Sequence, residues 1–218
     1  MQLILEKNNF VNKFRKIFSM FMNDKLALIS IIFLLFMVFL AIFGPSLINE
    51  SYTKMNLRLR NLEPFSFDHH FMYFFGADAL GRSMIARLIL ATQNTMFIAG
   101  SAVILSMTLG GVLGLISGYY GGRTGNMIMR MADIIMSFPS LLLAVIVLYM
   151  FDPGLLNLVI VLAFTRMPIY MRTARAEVLE IRERLFVSAA ISMGASNLRI
   201  IFKHIAPLTV PTLITIAT

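Results

Sequence analysis

The side chains able to make or break bonds are few in this chain of 218 residues, and they do not converge. His69 and His70 are adjacent in a polar stretch, and a neighbouring pair alone rarely makes a metal site. His204 stands near a membrane surface and reads as a capping or interfacial residue. No Ser lies in register with a His and an acid, as acyl transfer needs. No Gly-x4-Gly-Lys-Ser/Thr phosphate loop is present, so ATP is not bound by that route. The absence of cysteine removes disulfides and thiolate metal sites. One charge stands out. Arg166 falls inside a long apolar run, where a cation is costly and either snorkels to the headgroups or faces a wet cavity. Snorkelling is the plain structural reading, and a wet cavity makes Arg166 a candidate for lining a translocation path. The chemistry on offer is recognition and movement rather than catalysis.

The elements that position these residues are membrane helices. Hydrophobic residues make up 58% and charged residues 14%, with a mean hydropathy of +0.81. Soluble domains have about 45–50% and about 25%. The net charge of +8 does not indicate nucleic acid, because the basic residues sit in short segments beside apolar runs. Residues 1–25 are basic and carry Phe10, Phe14, Ile17, Phe18 and Phe21 at helical spacing, which fits either an amphipathic helix at the cytoplasmic membrane surface or a helical continuation of the first span. They do not read as a cleaved leader, since the apolar run that follows is too long and lacks a cleavage site.

Residues 26–48 form the first predicted span, ended by Pro45. Residues 49–94 form an external loop whose second half reads as a turn and an amphipathic helix. Thr95 to Ser117 is the second span. Ala102, Ser106, Gly110, Gly114 and Gly118 recur every four residues along it, a stripe of small side chains suited to close helix packing. Tyr119 to Gly125 breaks the helix, and a helical pattern resumes in which Arg130 and Asp133 are spaced to pair. A third span is predicted over Ile134 to Phe151, a turn at Asp152-Pro153-Gly154, and a fourth span over Leu155 to Met171, with a helix break near Pro168. Residues 172–204 are a polar cytoplasmic loop. Ile205 to Thr218 reads as a fifth span cut short. With the N-terminus inside, the inner segments hold thirteen Lys and Arg against five outside, in line with the positive-inside rule.

The polar island from Phe186 to Pro207 is the most informative stretch. It reads as a short helix, a turn at Gly194, a second helix, and a Pro suited to opening a span. Such a stub is a handle for another protein to grip. Ala189, Ala190 and Ala195 are small enough to let a helix lie in a groove, and Gly194 permits a sharp reversal.

This island resembles the EAA loop of ABC-transporter permeases, Glu-Ala-Ala-x3-Gly-x9-Ile-x-Leu-Pro, through Ser188-Ala189-Ala190, Gly194 and Pro207. Ser188 stands where the family usually has Glu, and Ala206 where it often has Leu. Further stretches are similar to the C-type subunit of the dipeptide/oligopeptide permeases: Asp24-Lys-Leu-Ala-Leu, Phe43-Gly-Pro, Phe75-Gly-Ala-Asp-Ala-Leu-Gly-Arg-Ser, Gly118-Tyr-Tyr-Gly-Gly, and Met129 to Ala144. Arg166 replaces an aromatic common in relatives.

The resemblance implies an all-α polytopic membrane protein, with the type I importer bundle and six-span core of which the last part is missing here. It implies a transport subunit in the cell membrane, not an enzyme. The implied partners are a homologous second permease, two ATPase subunits that carry the ATP and Mg, and an external binding protein. This chain then binds no cofactor. Phe186, Ser188, Ala189, Ala190, Gly194, Ala195 and Ser196 become the coupling helix that contacts an ATPase. Di- or oligopeptides are the implied cargo. Nickel or another small solute, and a non-transporting membrane scaffold, are the alternatives; a membrane enzyme has little support.

Overall fold

The computed structural model describes residues 24–66, 68–150 and 154–218. The helix predicted over 1–25 therefore lies almost wholly outside the described residues, as do Asp152 and Pro153. Every element of two turns or more among the described residues is helical. The chain divides into two compact units, Met1–Met96 and Phe97–Thr218.

In the first unit, helix α1 (Lys25–Phe43) runs into a 3-10 turn (Gly44–Leu47), together a 23-residue apolar rod. Asp24 starts it: its Oδ1 accepts the N–H groups of Leu26 at 3.0 Å and Ala27 at 3.2 Å, satisfying donors that a helix start leaves unpaired. No residue of the rod's most apolar window is buried within the described residues. Short 3-10 turns follow at Glu50–Tyr52, Leu57–Leu59 and Phe71–Tyr73.

Asp78 ties together the segment that follows these turns. Its Oδ1 accepts the N–H groups of Leu80 and Arg82, both at 2.9 Å. Its Oδ2 meets Arg82 Nε at 2.8 Å, Arg82 Nη2 at 2.7 Å and Arg87 Nη1 at 2.9 Å. The Arg82 N–H, then the Arg82 side chain and the Leu80 N–H, outweigh partial burial and lower the Asp78 carboxyl to about 2. The Asp78 carbonyl in turn accepts from Asn61 N–H at 3.1 Å. Ser83, buried, donates to the Met72 carbonyl and receives Ala86 N–H at 3.2 Å. His70 is part of the same framework: its Nδ1 accepts Met72 N–H at 3.3 Å, and its ring stacks on Tyr52.

Helix α2 (Met84–Tyr120) is 37 residues long. The amphipathic helix expected before the second span and the span itself are thus one helix. The second unit adds α3 (Gly122–Ser137), α4 (Ser140–Met150), α5 (Leu155–Arg182), α6 (Leu185–Ser192) and α7 (Asn197–Ala217). Within it the small-residue stripe of α2 packs along α5. Ala102 is buried with Val159 and Ala163. A Cβ on Gly110 would lie 2.6 Å from the Met167 carbonyl, and one on Gly118 2.6 Å from the Val178 Cβ. One on Gly114 would lie 2.5 Å from both the Ala174 Cβ and the Met171 carbonyl. Ser106 is buried in the same line and satisfies its hydroxyl on the Val103 carbonyl at 3.1 Å.

Four expectations are corrected here. The third span is not one rod: α3 and α4 bend by 84° at Phe138–Pro139, where the residue before a proline is driven into extended backbone (φ −89°, ψ 134°). Helix α5 does not break at Pro168 but continues to Arg182, because Met167 and Met171 are clamped against the α2 stripe. Asp133 pairs with Arg172 at 2.7 Å, not with Arg130. The last apolar helix starts at Asn197, not Ile205, and its 21 residues are long and apolar enough to cross a membrane. Among the described residues four helices meet that test, or five segments if the bent α3–α4 pair is counted as one span.

Candidate functional site

Helix α6 and the turn after it form a knuckle at one end of α5 and α7. Its inner face is apolar and fully packed. Val187 and Ala190 are buried in a cluster with Val178 and Ile181 of α5, and with Ile200, Ile201 and Ile205 of α7. Two buried positions three apart are what one face of a two-turn helix supplies. The helix ends in a Schellman motif. Ala195 N–H donates to the Ala190 carbonyl at 3.1 Å and Gly194 N–H to the Ile191 carbonyl at 2.9 Å. The reversal puts Gly194 at φ +78°, a region that glycine enters freely and most residues with a Cβ, Asn apart, enter only under strain.

The outer face is exposed. Ser188, Ala189, Gly194 and Ser196 stand there, with Phe186 partly covered. Ala190 does not: it is only 4% exposed and forms the floor beneath the face, while Ala195 is half-buried against the same cluster. A partner seated on this face cannot reach the Ala190 side chain without unpacking the knuckle. Sequence reasoning missed Leu185 and Met193, which are 88% and 81% exposed, and Leu198. The available signal was large apolar side chains inside a polar island. A cavity of about 340 Å³ opens beside the turn, between Phe186, Met193, Arg199 and His204.

Polar contacts tie the knuckle to the ends of the spans. Tyr119 Oη donates to Asn197 Oδ1 at 2.9 Å, and Arg182 Nη1 donates to the Tyr119 carbonyl at 2.9 Å. Arg175 reaches from α5 to the α2–α3 junction, where its Nη1 donates to the Gly125 carbonyl at 2.8 Å and to Ser117 Oγ at 3.2 Å. Buried Ser117 closes the triangle by donating to the Gly125 carbonyl at 3.0 Å. Displacement of α6 is therefore resisted by α5, α7 and the end of α2 together. The arrangement suits transmission of force.

Arg166 lies elsewhere in the unit, on an exposed face of α5, beside a second cavity of about 490 Å³ formed with the α3–α4 elbow. His204 lines the first cavity from the π-helical turn Ile200–Ile205 of α7.

Comparison with known proteins decides the family. Residues 110–218 match the model of the binding-protein-dependent transport system inner membrane component. Residues 13–64 match the N-terminal TM domain of oligopeptide transport permease C. The chain belongs to this permease family. It is 35% identical over 208 residues to the dipeptide transport system permease protein DppC of Alkalihalophilus pseudofirmus, covering 95% of this chain and 67% of that relative. It is 34% identical over 205 residues to the oligopeptide transport system permease protein OppC of Bacillus subtilis, covering 89% and 66%. The nickel transport system permease protein NikC of Escherichia coli is 34% identical over 146 residues, covering 67% of this chain and 53% of that relative. The chain spans about two thirds of the length of the first two relatives. As a permease of the C-type peptide branch, it is a multi-pass membrane protein, and its relatives are transport subunits rather than enzymes.

Proposed function

We propose that this chain forms part of the translocation path of an ABC importer for di- or oligopeptides. In this reading a homologous second permease completes the path and two ATPase subunits supply the energy. A binding protein outside the cell delivers the cargo. The N-terminus lies in the cytoplasm, and α6 is the coupling helix. Phe186, Ser188, Ala189, Gly194 and Ser196 meet an ATPase directly, with Ala190 and Ala195 supporting them from below. The observation that carries the reading is the two-sided knuckle. One face is locked into the cores of α5 and α7 by Val187 and Ala190, and the other leaves Leu185, Ile191 and Met193 uncovered. Uncovered apolar side chains above a rigid floor suit a protein partner. Closing of the ATPases then rocks α5 and α7, and with them the α2 seam. The similarity to dipeptide and oligopeptide permeases over most of the chain supports peptide as the cargo.

The chain has no cysteine, so a single cysteine reports on its own position. Ala189→Cys in the assembled transporter should crosslink to an ATPase subunit. It should resist an impermeant thiol reagent added from outside intact cells. Labelling from outside, with no ATPase crosslink at any stage of turnover, would falsify the coupling role. Nickel is the second reading, favoured by the similarity to NikC, and accumulation of nickel without peptide uptake would establish it.

A further inference from the structure

Two features of the second unit open onto one cavity, and packing among the described residues explains neither. The cavity, about 490 Å³, lies between the α3–α4 elbow and α5. At the elbow an apolar segment turns by 84° and leaves the helical path at Phe138–Pro139. Non-helical backbone at membrane depth is tolerated only where protein buries it or where it lines water-filled space. Phe138 and Leu141 are exposed, so the described residues do not bury it. The second feature is Arg166. Its side chain lines the same cavity, and among the described residues it has no ion pair or hydrogen bond. The nearby acid, Asp133, is taken by Arg172 at 2.7 Å. The cavity walls contain no Asp or Glu. Apart from Ser140 and Thr165, the other lining side chains are apolar, and Thr165 donates its hydroxyl to the Leu162 carbonyl at 3.0 Å.

An unpaired guanidinium beside a largely apolar recess is charge-complementary to an anion. Its planar fork of donors matches a carboxylate bidentately. The volume lies within the usual range for small-ligand sites of about 300–1,000 Å³. We propose that Arg166 binds the C-terminal carboxylate of the peptide in transit, while the apolar elbow receives the peptide's side chains. No Asp or Glu lines the recess among the described residues, so this chain offers a partner to the carboxylate end of the peptide and none to its ammonium end. This assignment rests on the reading of the chain as a peptide permease.

The test compares trialanine with its C-terminal amide. Uptake is measured in proteoliposomes holding the complete transporter, with the same binding protein throughout. The quantity read is the acid-to-amide ratio of kcat/KM in wild type, Arg166→Gln and Arg166→Lys. Any preference of the binding protein cancels when the ratios are compared between variants. The ratio should fall about tenfold in Arg166→Gln, as expected for loss of a charge-assisted hydrogen bond. Arg166→Lys should fall between, because it keeps the charge and loses the fork. Transport with an unchanged ratio in Arg166→Gln overturns the assignment and leaves peptide import standing. So does a loss of both peptides by the same factor, which marks Arg166 as a lipid-facing or packing residue. Failure of the wild-type transporter to move either peptide removes the peptide reading itself.

Discussion

Adding one methyl group to α2 should have opposite consequences at two glycines of the same helix. At Gly114 a Cβ would lie 2.5 Å from the Ala174 Cβ and 2.5 Å from the Met171 carbonyl, with the Arg175 amide nitrogen at 3.2 Å. Carbon atoms rest at about 3.5–4.0 Å, so α2 and α5 must separate by about 1 Å, and a gap of that size forfeits up to half of each neighbouring contact. The neighbouring close approaches at Gly110 and Gly118 open with it. Overpacking of this kind costs about 1–3 kcal/mol. At Gly100 a Cβ meets nothing within 4 Å, so Gly100→Ala only gains helix propensity, up to about 1 kcal/mol. Gly114→Ala receives the same gain, and the difference between the two variants isolates the seam at about 1–3 kcal/mol. For a chain of this size 1 kcal/mol moves Tm by about 2–4 °C, so Gly114→Ala should melt about 2–12 °C below Gly100→Ala. The chain has neither Trp nor Cys, so far-UV circular dichroism of both variants in one detergent is the suitable measurement. Equal melting temperatures would refute the close approach of α2 and α5.

Gly194→Val should stimulate ATP hydrolysis about tenfold less well in response to loaded binding protein, while the chain still inserts. Its Cβ meets no atom within 4 Å, so the cost is backbone strain alone, about 1–2 kcal/mol. Gly194→Asn should couple almost normally, since Asn tolerates positive φ, and wild-type coupling by the Val variant would count against the turn. The segment before α2 should respond to acid through Asp78. Its carboxyl is lowered to about 2, so its contribution is complete above the unfolded value of about 3.9 and is lost as pH falls through about 2. Exchange at the Leu80 and Arg82 amides, corrected for intrinsic rate, should be flat from about pH 7 to 5 and rise below about 4; Asp78→Asn should abolish that rise. The Asp133–Arg172 pair is half-exposed on both sides, so a double-mutant cycle should give at most about 1 kcal/mol. A value of about 3 kcal/mol would show the pair to be desolvated.

Much of the fold and of the knuckle was legible in the sequence, wherever the deciding signal is local. The five small residues every four positions along α2 describe a seam by themselves, since a stripe of that period lies on one face. Gly194 marks its turn because the Schellman motif needs a residue indifferent to positive φ. What could not be read depends on partners far along the chain. Arg130 lies three residues from Asp133, yet Asp133 is held by Arg172 from another helix. Ala189 and Ala190 are equivalent by composition. Only the phase of α6 over Ile200 and Ile201 sends one to solvent and the other into the core.

The prolines make the same point about backbone. Pro139 and Pro168 both interrupt apolar runs, and the residue before each is biased away from helix. At Pro139 that bias prevails, because Phe138 and Leu141 are exposed and no neighbour among the described residues covers them. At Pro168 it is overridden. Met167 and Met171 present their carbonyls to Gly110 and Gly114, and leaving the helical path would open the seam on both sides. Pro207 is accommodated in a third way. The π-helical turn Ile200–Ile205 widens the helix just before it, and the Ala206 N–H donates to the Ile201 carbonyl, one residue further back than in an α-helix. The helix therefore passes through a residue that supplies no donor, and the second helix of the knuckle is continuous with the last span. Beyond the Gly194 turn the backbone from Asn197 to Ala217 runs on as one helix, with no break at Pro207.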